Sequence, residues 1–273
     1  MSMFKYALAA TTGLVLLASA DVAKAAGIAF TFSPSAAGLN GSDIIADKLN
    51  ILDFARVDLT GANGTQTAFS ESGFLQVNNV SLNNATFSPG GLGSTYTLYV
   101  AFNGTGLQNA SNFNVSSVGT FGTLGYTLFG VAGASTFGFD GSNNPFVNNN
   151  GNTPTALATG NLTSGGTSLI VKGTSSGTPA NPQGISPGAA VDADLVKVVP
   201  AFFVSPVNME LTLASAFNNN TDIVTVLNNS TTFLLGGGGG DVSFSASAIP
   251  EPASMALLGA GLAAIGLVRR RRA

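Results

Sequence analysis

The chain has 273 residues, a formal net charge of −3 and 8% charged residues, and it contains no cysteine, histidine or tryptophan. Without cysteine it has no disulfide framework and no thiolate metal site, and without histidine it lacks the commonest general base and the usual zinc ligand. A chain with so few bases is also a poor partner for duplex nucleic acid. We therefore predict that the protein is not an enzyme, needs no cofactor and binds no nucleic acid.

Residues 1–25 have the pattern of a signal peptide. Lys5 supplies a positive flank, residues 7–18 form an apolar run, and Ala23 and Ala25 give the small-x-small pattern that signal peptidase accepts. We predict cleavage after Ala25, with residues 18–20 as a second possible site. A retained membrane anchor is the alternative, but the run is shorter than the roughly 20 apolar residues that a span needs.

Residues 26–248 form the predicted exported domain. It begins with a strand at 28–32, where apolar and polar side chains alternate. The segment 43–57 is the best helix candidate, because Ser42 is placed to cap it and its apolar residues fall partly at helical spacing. A strand at 50–59 competes with that helix. We expect a short helix or turn that leads into a strand.

The rest of this domain is predicted to consist of short strands. Apolar patterns place them at residues 73–82, 95–102, 118–131, 168–172, 195–204, 209–217, 222–227, 231–235 and 241–246. The predicted loops are the polar or glycine-rich stretches 142–160, 173–189 and 236–240, the last being a flexible spacer. Pro200 indicates a sheet edge or a bulge. Such strands predict an all-β fold, an antiparallel sandwich or a jelly roll, with most phenylalanines in its core.

The surface of this domain is predicted to be polar but almost uncharged. Between residues 27 and 248 there are four bases and eleven acids, which gives a net charge of −7. Asparagine, serine, threonine and glycine supply the remaining polarity. Such a surface suits contact with sugars, glycosylation or self-association, and the composition does not choose among them.

Acidic side chains are the remaining candidates for chemistry. Asp192 and Asp194 lie two residues apart and would face one side of a strand, while Glu210 and Asp222 would lie on neighbouring strands. Two such carboxylates are what a glycosidase needs on either side of a sugar bond. Their spacing selects no particular pair, so solvated acids at strand ends are the favoured interpretation.

One short loop has the composition of a calcium site. Residues 140–144 offer oxygen ligands in a tight turn, as calcium requires, and make Asp140 the candidate metal ligand. The EF-hand pattern with its distal glutamate is absent. A turn rich in aspartate and asparagine is therefore the favoured interpretation.

The C-terminal segment, residues 249–273, combines three features. Pro250, Glu251 and Pro252 come first, and the prolines fix the start of the helix that follows. Residues 253–268 are uncharged and predict one transmembrane helix of roughly 24 Å, which is short for a span. Four arginines follow and are expected to hold that end in the cytoplasm: Arg269, Arg270, Arg271 and Arg272. A plain tail anchor without processing is the alternative.

This arrangement resembles the PEP-CTERM sorting signal of Gram-negative bacteria, and the resemblance is confined to this segment. It implies that Pro250, Glu251 and Pro252 are recognised by an exosortase, a membrane transpeptidase-like enzyme of bacteria that make exopolysaccharide. It also implies a cut nearby, so that the domain leaves its transient anchor in the inner membrane and is released or attached at the cell surface. Ile249, in place of the commoner valine, is a mild departure from the pattern.

From this tail and the composition we predict an exported surface or matrix protein with a structural or adhesive role. Its expected partners are signal peptidase, the exosortase, and exopolysaccharide or copies of itself. A carbohydrate-binding module is one rival, and it would need exposed aromatic side chains such as Tyr96, Tyr99 or Tyr126. A secreted hydrolase that uses only acids is the other rival.

Overall fold

The computed structural model describes residues 28–112, 115–172, 185–205, 214–217, 224–227 and 231–244. Apart from two short 3-10 helices at Ser35–Ala37 and Pro200–Phe202, the regular structure of these residues is all β, as predicted. The strands are β1 (Phe30–Phe32), β2 (Ile44–Ala46), β3 (Lys48–Asn63), β4 (Gln66–Leu82), β5 (Ala85–Phe87), β6 (Tyr96–Gln108), β7 (Ser117–Ala132), β8 (Thr136–Phe139), β9 (Pro145–Asn148), β10 (Thr155–Lys172), β11 (Ile185–Ala193), β12 (Val196–Lys197), β13 (Phe203–Ser205), β14 (Ala214–Phe217), β15 (Val224–Leu227) and β16 (Thr232–Ser243).

Eleven of these strands belong to one antiparallel sheet. Its order is β11-β10-β7-β6-β4-β3-β16-β14, with β12 paired to β10, β15 to β16 and β5 to β4. The edge strands β11 and β14 run close to each other, so the sheet curls around its own inner face. The predicted sandwich or jelly roll differs from this arrangement, because the long strands form one continuous sheet.

The inner face of the curled sheet carries the core. In β3, buried and less buried residues alternate, and Leu49, Ile51, Ala55 and Val57 are buried in that core. The helix candidate at 43–57 is therefore wrong, whereas the competing strand at 50–59 lies within β3. Apolar residues at every second position reach one face only when the chain is extended, and this period of two outweighed the partial helical spacing.

Small residues on the inner face make room for large rings from neighbouring strands. Gly106 of β6 lies against the ring of Phe69 from β4, and Gly160 of β10 lies against the ring of Tyr126 from β7. A Cβ atom at either glycine would collide with that ring. The glycine-rich strands are thus part of the packing, because each missing side chain is replaced by an aromatic ring from the next strand.

All three predicted loops contain strands. Residues 236–240 lie within β16 and pair with β3, with a bulge between Gly236 and Gly238 where Gly237 has a φ of 90°. Within 142–160 lie β9 and the start of β10, and residues 185–189 belong to β11, while 173–184 lie outside the described residues. A glycine run gives no side-chain pattern, yet its backbone groups need hydrogen-bond partners like any others. Here they find those partners in β3.

Most predicted strands are confirmed in place, and several are longer than predicted. β4 begins at Gln66 and β6 ends at Gln108, because polar side chains on the outer face had hidden the alternation. The segment 195–204 is divided into β12, a 3-10 helix and β13, and Pro200 begins that helix. The predicted strands at 209–217 and 222–227 are seen as β14 and β15, with their first residues outside the described part.

Two smaller sheets cover parts of the large one. The sheet β13-β1-β2 contributes to the core, where Phe30 meets Phe244 edge-on at 4.4 Å between ring centroids and Phe32 packs on Phe202 at 5.3 Å. The β8–β9 hairpin lies on the outer face, where Phe137 stacks on a ring from β3. The outer face is therefore only partly open to solvent.

The first residue of β6 offers a test of the core. Tyr96 is fully buried, and its hydroxyl has no hydrogen-bond partner among the residues that the structure describes. Tyr96→Phe removes this unsatisfied group, so we expect the free energy of unfolding to rise by about 1 kcal/mol. Chemical denaturation of the exported protein measures the change.

Tyr126→Phe is the matched control for that substitution. The Tyr126 hydroxyl donates a hydrogen bond to the carbonyl oxygen of Asp194 at 2.6 Å. Its removal should lower the free energy of unfolding by about 1 kcal/mol. If Tyr96→Phe destabilised the protein as much as Tyr126→Phe does, the Tyr96 hydroxyl would have a partner after all.

Candidate functional site

The residues predicted to direct export and sorting lie outside the described part of the chain. They are Ala23, Ala25, Pro250, Glu251, Pro252, Arg269, Arg270, Arg271 and Arg272. The same is true of the acids Glu210 and Asp222 and of the predicted transmembrane segment 253–268. Among the helices that the structure does describe, none is long and apolar enough to cross a membrane.

The first and last residues of the described domain lie next to each other. The backbone N–H of Ile28 donates to the carbonyl oxygen of Phe244 at 2.9 Å. Ile28 lies three residues after Ala25, and Phe244 lies six residues before Pro250. Six residues reach at most about 20 Å. The predicted signal peptide and the C-terminal segment therefore attach to one pole of the domain.

The loop proposed as a calcium site forms a closed turn. The Asp140 carboxylate accepts hydrogen bonds from the backbone N–H groups of Ser142 and Asn144, both at 2.8 Å. The Asn144 backbone bond lowers the pKa of Asp140, assisted by the bond from Ser142. Within the described ranges, no three acidic side chains come together as a metal site would require. The geometry agrees with the favoured interpretation of a turn held by its own aspartate.

The single arginine of the predicted exported domain holds this turn against β3. Arg56 binds Asp58 through two nitrogens, at 2.7 and 3.1 Å, and its third nitrogen donates to the carbonyl oxygen of Ser142 at 3.2 Å and to the Asn144 side chain at 3.3 Å. Thr232 of β16 also donates to Asp58, at 2.6 Å. The planar fork of arginine permits this combination, which a lysine ammonium cannot reproduce.

Arg56→Lys should therefore loosen the β8–β9 hairpin while leaving the sheet intact. We expect amide hydrogen exchange at residues 140–144 to become about tenfold faster, which corresponds to roughly 1.4 kcal/mol. Lys48→Met is the matched control, because Lys48 makes only a half-exposed ion pair with Asp241 at 3.6 Å. Equal exchange at the turn in wild type and Arg56→Lys would show that Arg56 does not hold the hairpin.

One acid of the predicted carboxylate pair at the end of β11, Asp194, has a structural role. The Asp194 carboxylate accepts a hydrogen bond from the backbone N–H of Asn161, and its carbonyl accepts one from Tyr126. The first contact holds β10 and the second holds β7, close to where the pairing of β10 with β7 and β11 shifts register. Asp192 lies within β11, opposite Ser164. The two acids thus lie at a strand junction, with Asp194 engaged by the backbone.

An aromatic cluster lies on the outer face beneath the β8–β9 hairpin. Phe137 of the hairpin stacks on Phe54 with 5.6 Å between ring centroids and meets Tyr99 edge-on, also at 5.6 Å. Tyr99 stacks in turn on Phe129 at 5.4 Å. Tyr99 is only 2% exposed, and the other two tyrosines of the described domain are buried as well. The three tyrosines that a carbohydrate-binding module would use are therefore enclosed.

Beside this cluster the outer face becomes polar. Strands β4, β6, β7 and β10 present hydroxyl and amide side chains in rows that cross the strands. We call this surface the polar face and define it by Ser70, Ser72, Asn103, Thr105, Thr123, Thr127, Thr159, Asn161 and Thr163. All nine side chains are uncharged and exposed or half-buried, and the Arg56–Asp58 pair borders them on β3.

The register aligns these side chains across the sheet. Asn103 and Asn161 flank Gly125, and their side-chain oxygens lie 3.8 and 3.6 Å from the place where a Cβ atom of Gly125 would be. In the next row the hydroxyls of Thr105 and Thr123 are hydrogen-bonded at 2.7 Å. Donors and acceptors thus repeat at the strand spacing of about 4.8 Å around a shallow trough. A flat, uncharged partner rich in hydroxyl or amide groups matches such a surface.

The sequence interpretation missed both this face and two buried acids. Alternation of polar residues at 70 and 72, at 103 and 105, and at 159, 161 and 163 is the signal that indicates the polar face. The acids are Asp53 and Glu71, which lie on the inner face of the sheet and are 1% and 8% exposed. Their position follows from the period of β3 and β4 once those segments are recognised as strands.

A family model described as the PEP-CTERM protein-sorting motif matches residues 248–272. No curated protein and no solved structure matches the chain. The match spans the proline-flanked Glu251, the apolar segment and the four arginines, so the resemblance noted in the sequence is confirmed. The chain therefore carries a PEP-CTERM sorting motif at its C-terminus, which marks it as an exported protein of the cell surface or extracellular space that an exosortase processes.

Proposed function

We propose that the exported domain is a structural or adhesive component of the cell surface or extracellular matrix, and that it acts by contact without catalysis. The polar face is the surface that makes this contact, and its partner is an uncharged, hydroxyl-rich polymer such as an exopolysaccharide. The observation that carries the proposal is the array of nine hydroxyl and amide side chains, without a charge among them, on a rigid antiparallel sheet.

The chemistry of this face favours a neutral polymer over a charged one. Hydroxyls and amides both donate and accept hydrogen bonds, so they match sugar hydroxyls in many registers. Each bond contributes little by itself, about 1 kcal/mol or less after exchange with water. A repeating polymer engages several rows at once, and its avidity then exceeds the strength of any single contact.

The rivals draw less support from the described residues. A carbohydrate-binding module that stacks sugars on tyrosine would need at least one of the enclosed rings at the surface. A hydrolase would need two free acids on either side of a substrate, and Asp194 is already bound to the backbone of β10. Contact between copies of this chain through the same polar face is the closest alternative.

Retention on immobilised polysaccharide tests the proposal. Protein recovered from the cell surface is passed over uncharged dextran and cellulose and, for comparison, over polyanionic alginate. We expect retention on at least one neutral matrix and a drop of about tenfold in Asn103→Asp/Asn161→Asp, because each new carboxylate replaces an amide donor and must be desolvated.

Asn63→Asp supplies the matched control, since Asn63 is exposed at the end of β3 and remote in register from the polar face. It should bind like the wild type. Concentration-dependent sedimentation of the same samples detects self-association. The adhesive role is contradicted if the wild type neither binds a polymer nor self-associates, or if it degrades the polysaccharide.

A further inference from the structure

Two carboxyl groups lie inside the curled sheet. Asp53 is between Ile51 and Ala55 on the inner face of β3, and Glu71 is opposite Val57 on the inner face of β4. They are 1% and 8% exposed, respectively. Both carboxyl oxygens of Asp53 lack a hydrogen-bond partner within the described residues. A buried carboxylate in this situation is strongly disfavoured unless it binds a proton or a counter-ion.

No base is found among the buried side chains that the structure describes, so none of them serves these acids as a counter-ion. Gly238 of β16 lies opposite Asp53, and Gly104 of β6 lies opposite Glu71. The titratable side chains that β6 and β7 add to the inner core are Tyr96 and Tyr126, which are not bases, and the buried Tyr99 of β6 packs on the outer face instead. Three bases of the described part are engaged elsewhere: Lys48 with Asp241, Arg56 with Asp58, and Lys197 over the ring of Phe203.

Protons are therefore the partners of these acids. Burial, with a smaller contribution from Glu71, raises the pKa of Asp53 well above its ordinary value. Burial raises the pKa of Glu71 from 4.5 to about 7. An acid whose pKa is higher in the folded protein than in the unfolded chain stabilises the fold at low pH. For Glu71 this stabilisation is complete below about pH 4.5 and is lost as the pH rises to about 7.

We propose that Asp53 and Glu71 stabilise the interior of the sheet when both are protonated, which makes the exported domain more stable in acidic than in neutral or alkaline surroundings. The proposal goes beyond the adhesive role, since it concerns how the domain responds to its medium. An exported domain meets the external pH directly, so protonation of its interior is set by the surroundings of the cell. Ionisation of either acid at neutral or alkaline pH weakens the packing between β3 and β4.

Two other acids of the described part, Asp140 and Asp58, have shifted pKa values of the opposite sign. The pKa of Asp140 is lowered by the backbone N–H of Asn144. That of Asp58 is lowered as well, because hydrogen bonds from Arg56 and Thr232 outweigh its partial burial. These two groups stabilise the fold above their ordinary pKa of 3.8 and lose that contribution only as the pH falls below it. Between about pH 4.5 and 7 they are ionised in both states, so they add no pH dependence in this window.

The thermal unfolding of the exported protein across this window is the test. We expect Tm of the wild type to fall by roughly 5–10 °C between about pH 4.5 and about pH 8. Glu71→Gln and Asp53→Asn keep the shape of each side chain without its ionisation. Each should raise Tm at about pH 8 and flatten the profile, the double variant most of all. Asp43→Asn, at an exposed position, should keep the wild-type profile.

Each result decides the matter. A wild-type Tm that is constant or rises between those pH values would overturn the proposal, and this measurement needs no variant to fold. The proposal would also be overturned if Tm fell between these pH values as much in the double variant as in the wild type. If the amides themselves prevent folding, Glu71→Met replaces the acid with an apolar side chain of similar length and should flatten the profile as Glu71→Gln would.

Discussion

Replacing Pro250 and Pro252 together by alanine is expected to leave the protein uncut in the inner membrane. The PEP-CTERM match implies that an exosortase processes this segment, and we expect the prolines to fix the start of the predicted helix. We expect the apolar residues 253–268 and the arginines to hold the chain in the bilayer even without these prolines. Cell fractionation with intact-mass measurement should therefore show near-complete loss of the processed form and accumulation of the full tail.

Ser254→Ala is the control for this experiment, since it changes the same segment and leaves both prolines in place. It should be processed like the wild type. Deleting residues 250–273 should have a different effect: an exported domain that is neither anchored nor attached. Normal surface levels of processed protein in the double proline variant would contradict the assigned role of the motif.

The second large effect is expected inside the sheet, at Gly106. A Cβ atom there would collide with the carbonyl oxygen of Thr120 and with the ring of Phe69. Gly106→Ala should therefore lower the free energy of unfolding by about 2–3 kcal/mol, because the backbone of β7 has little room to move away. Urea denaturation of the exported protein at one fixed pH measures the loss.

Gly122 provides a control in the neighbouring strand. Neither Gly106 nor Gly122 has a positive φ, so alanine is compatible with the backbone at both. A Cβ atom at Gly122 would come no closer than 3.9 Å to the nearest neighbour, the carbonyl oxygen of Thr105. Gly122→Ala should change stability by no more than about 0.5 kcal/mol, or raise it slightly. Similar losses in both variants would mean that ring packing does not require Gly106.

Much of the all-β fold was predictable from alternating side chains, and the predictions that failed have a common physical cause. The helix candidate at 43–57 combined all of β2 with the first part of β3, because Ile44 and Ile45 added apolar residues that belong to a different strand. Glycines 236–240 gave no pattern, although their backbone groups complete the ladder with β3. Local patterns thus fail where strand pairing, a long-range property, determines the structure.

The candidate site was predictable only in its chemistry. The composition indicated an uncharged polar surface, but its location depends on the register that aligns Asn103, Gly125 and Asn161. Arg56 was visible as the single arginine of the exported domain, while its partners Ser142 and Asn144 lie more than eighty residues away. Only the sorting motif is local enough in sequence to be recognised without the fold.

The length of the native protein at the cell surface tests the central claim most directly. Intact-mass and C-terminal peptide measurements on surface-recovered protein should show a chain that begins at Ala26 and ends near Pro252. Its C-terminus should be free or joined to a surface component, with residues 253–273 removed. A mature product that still contains the apolar segment and Arg272 would contradict exosortase sorting of this protein.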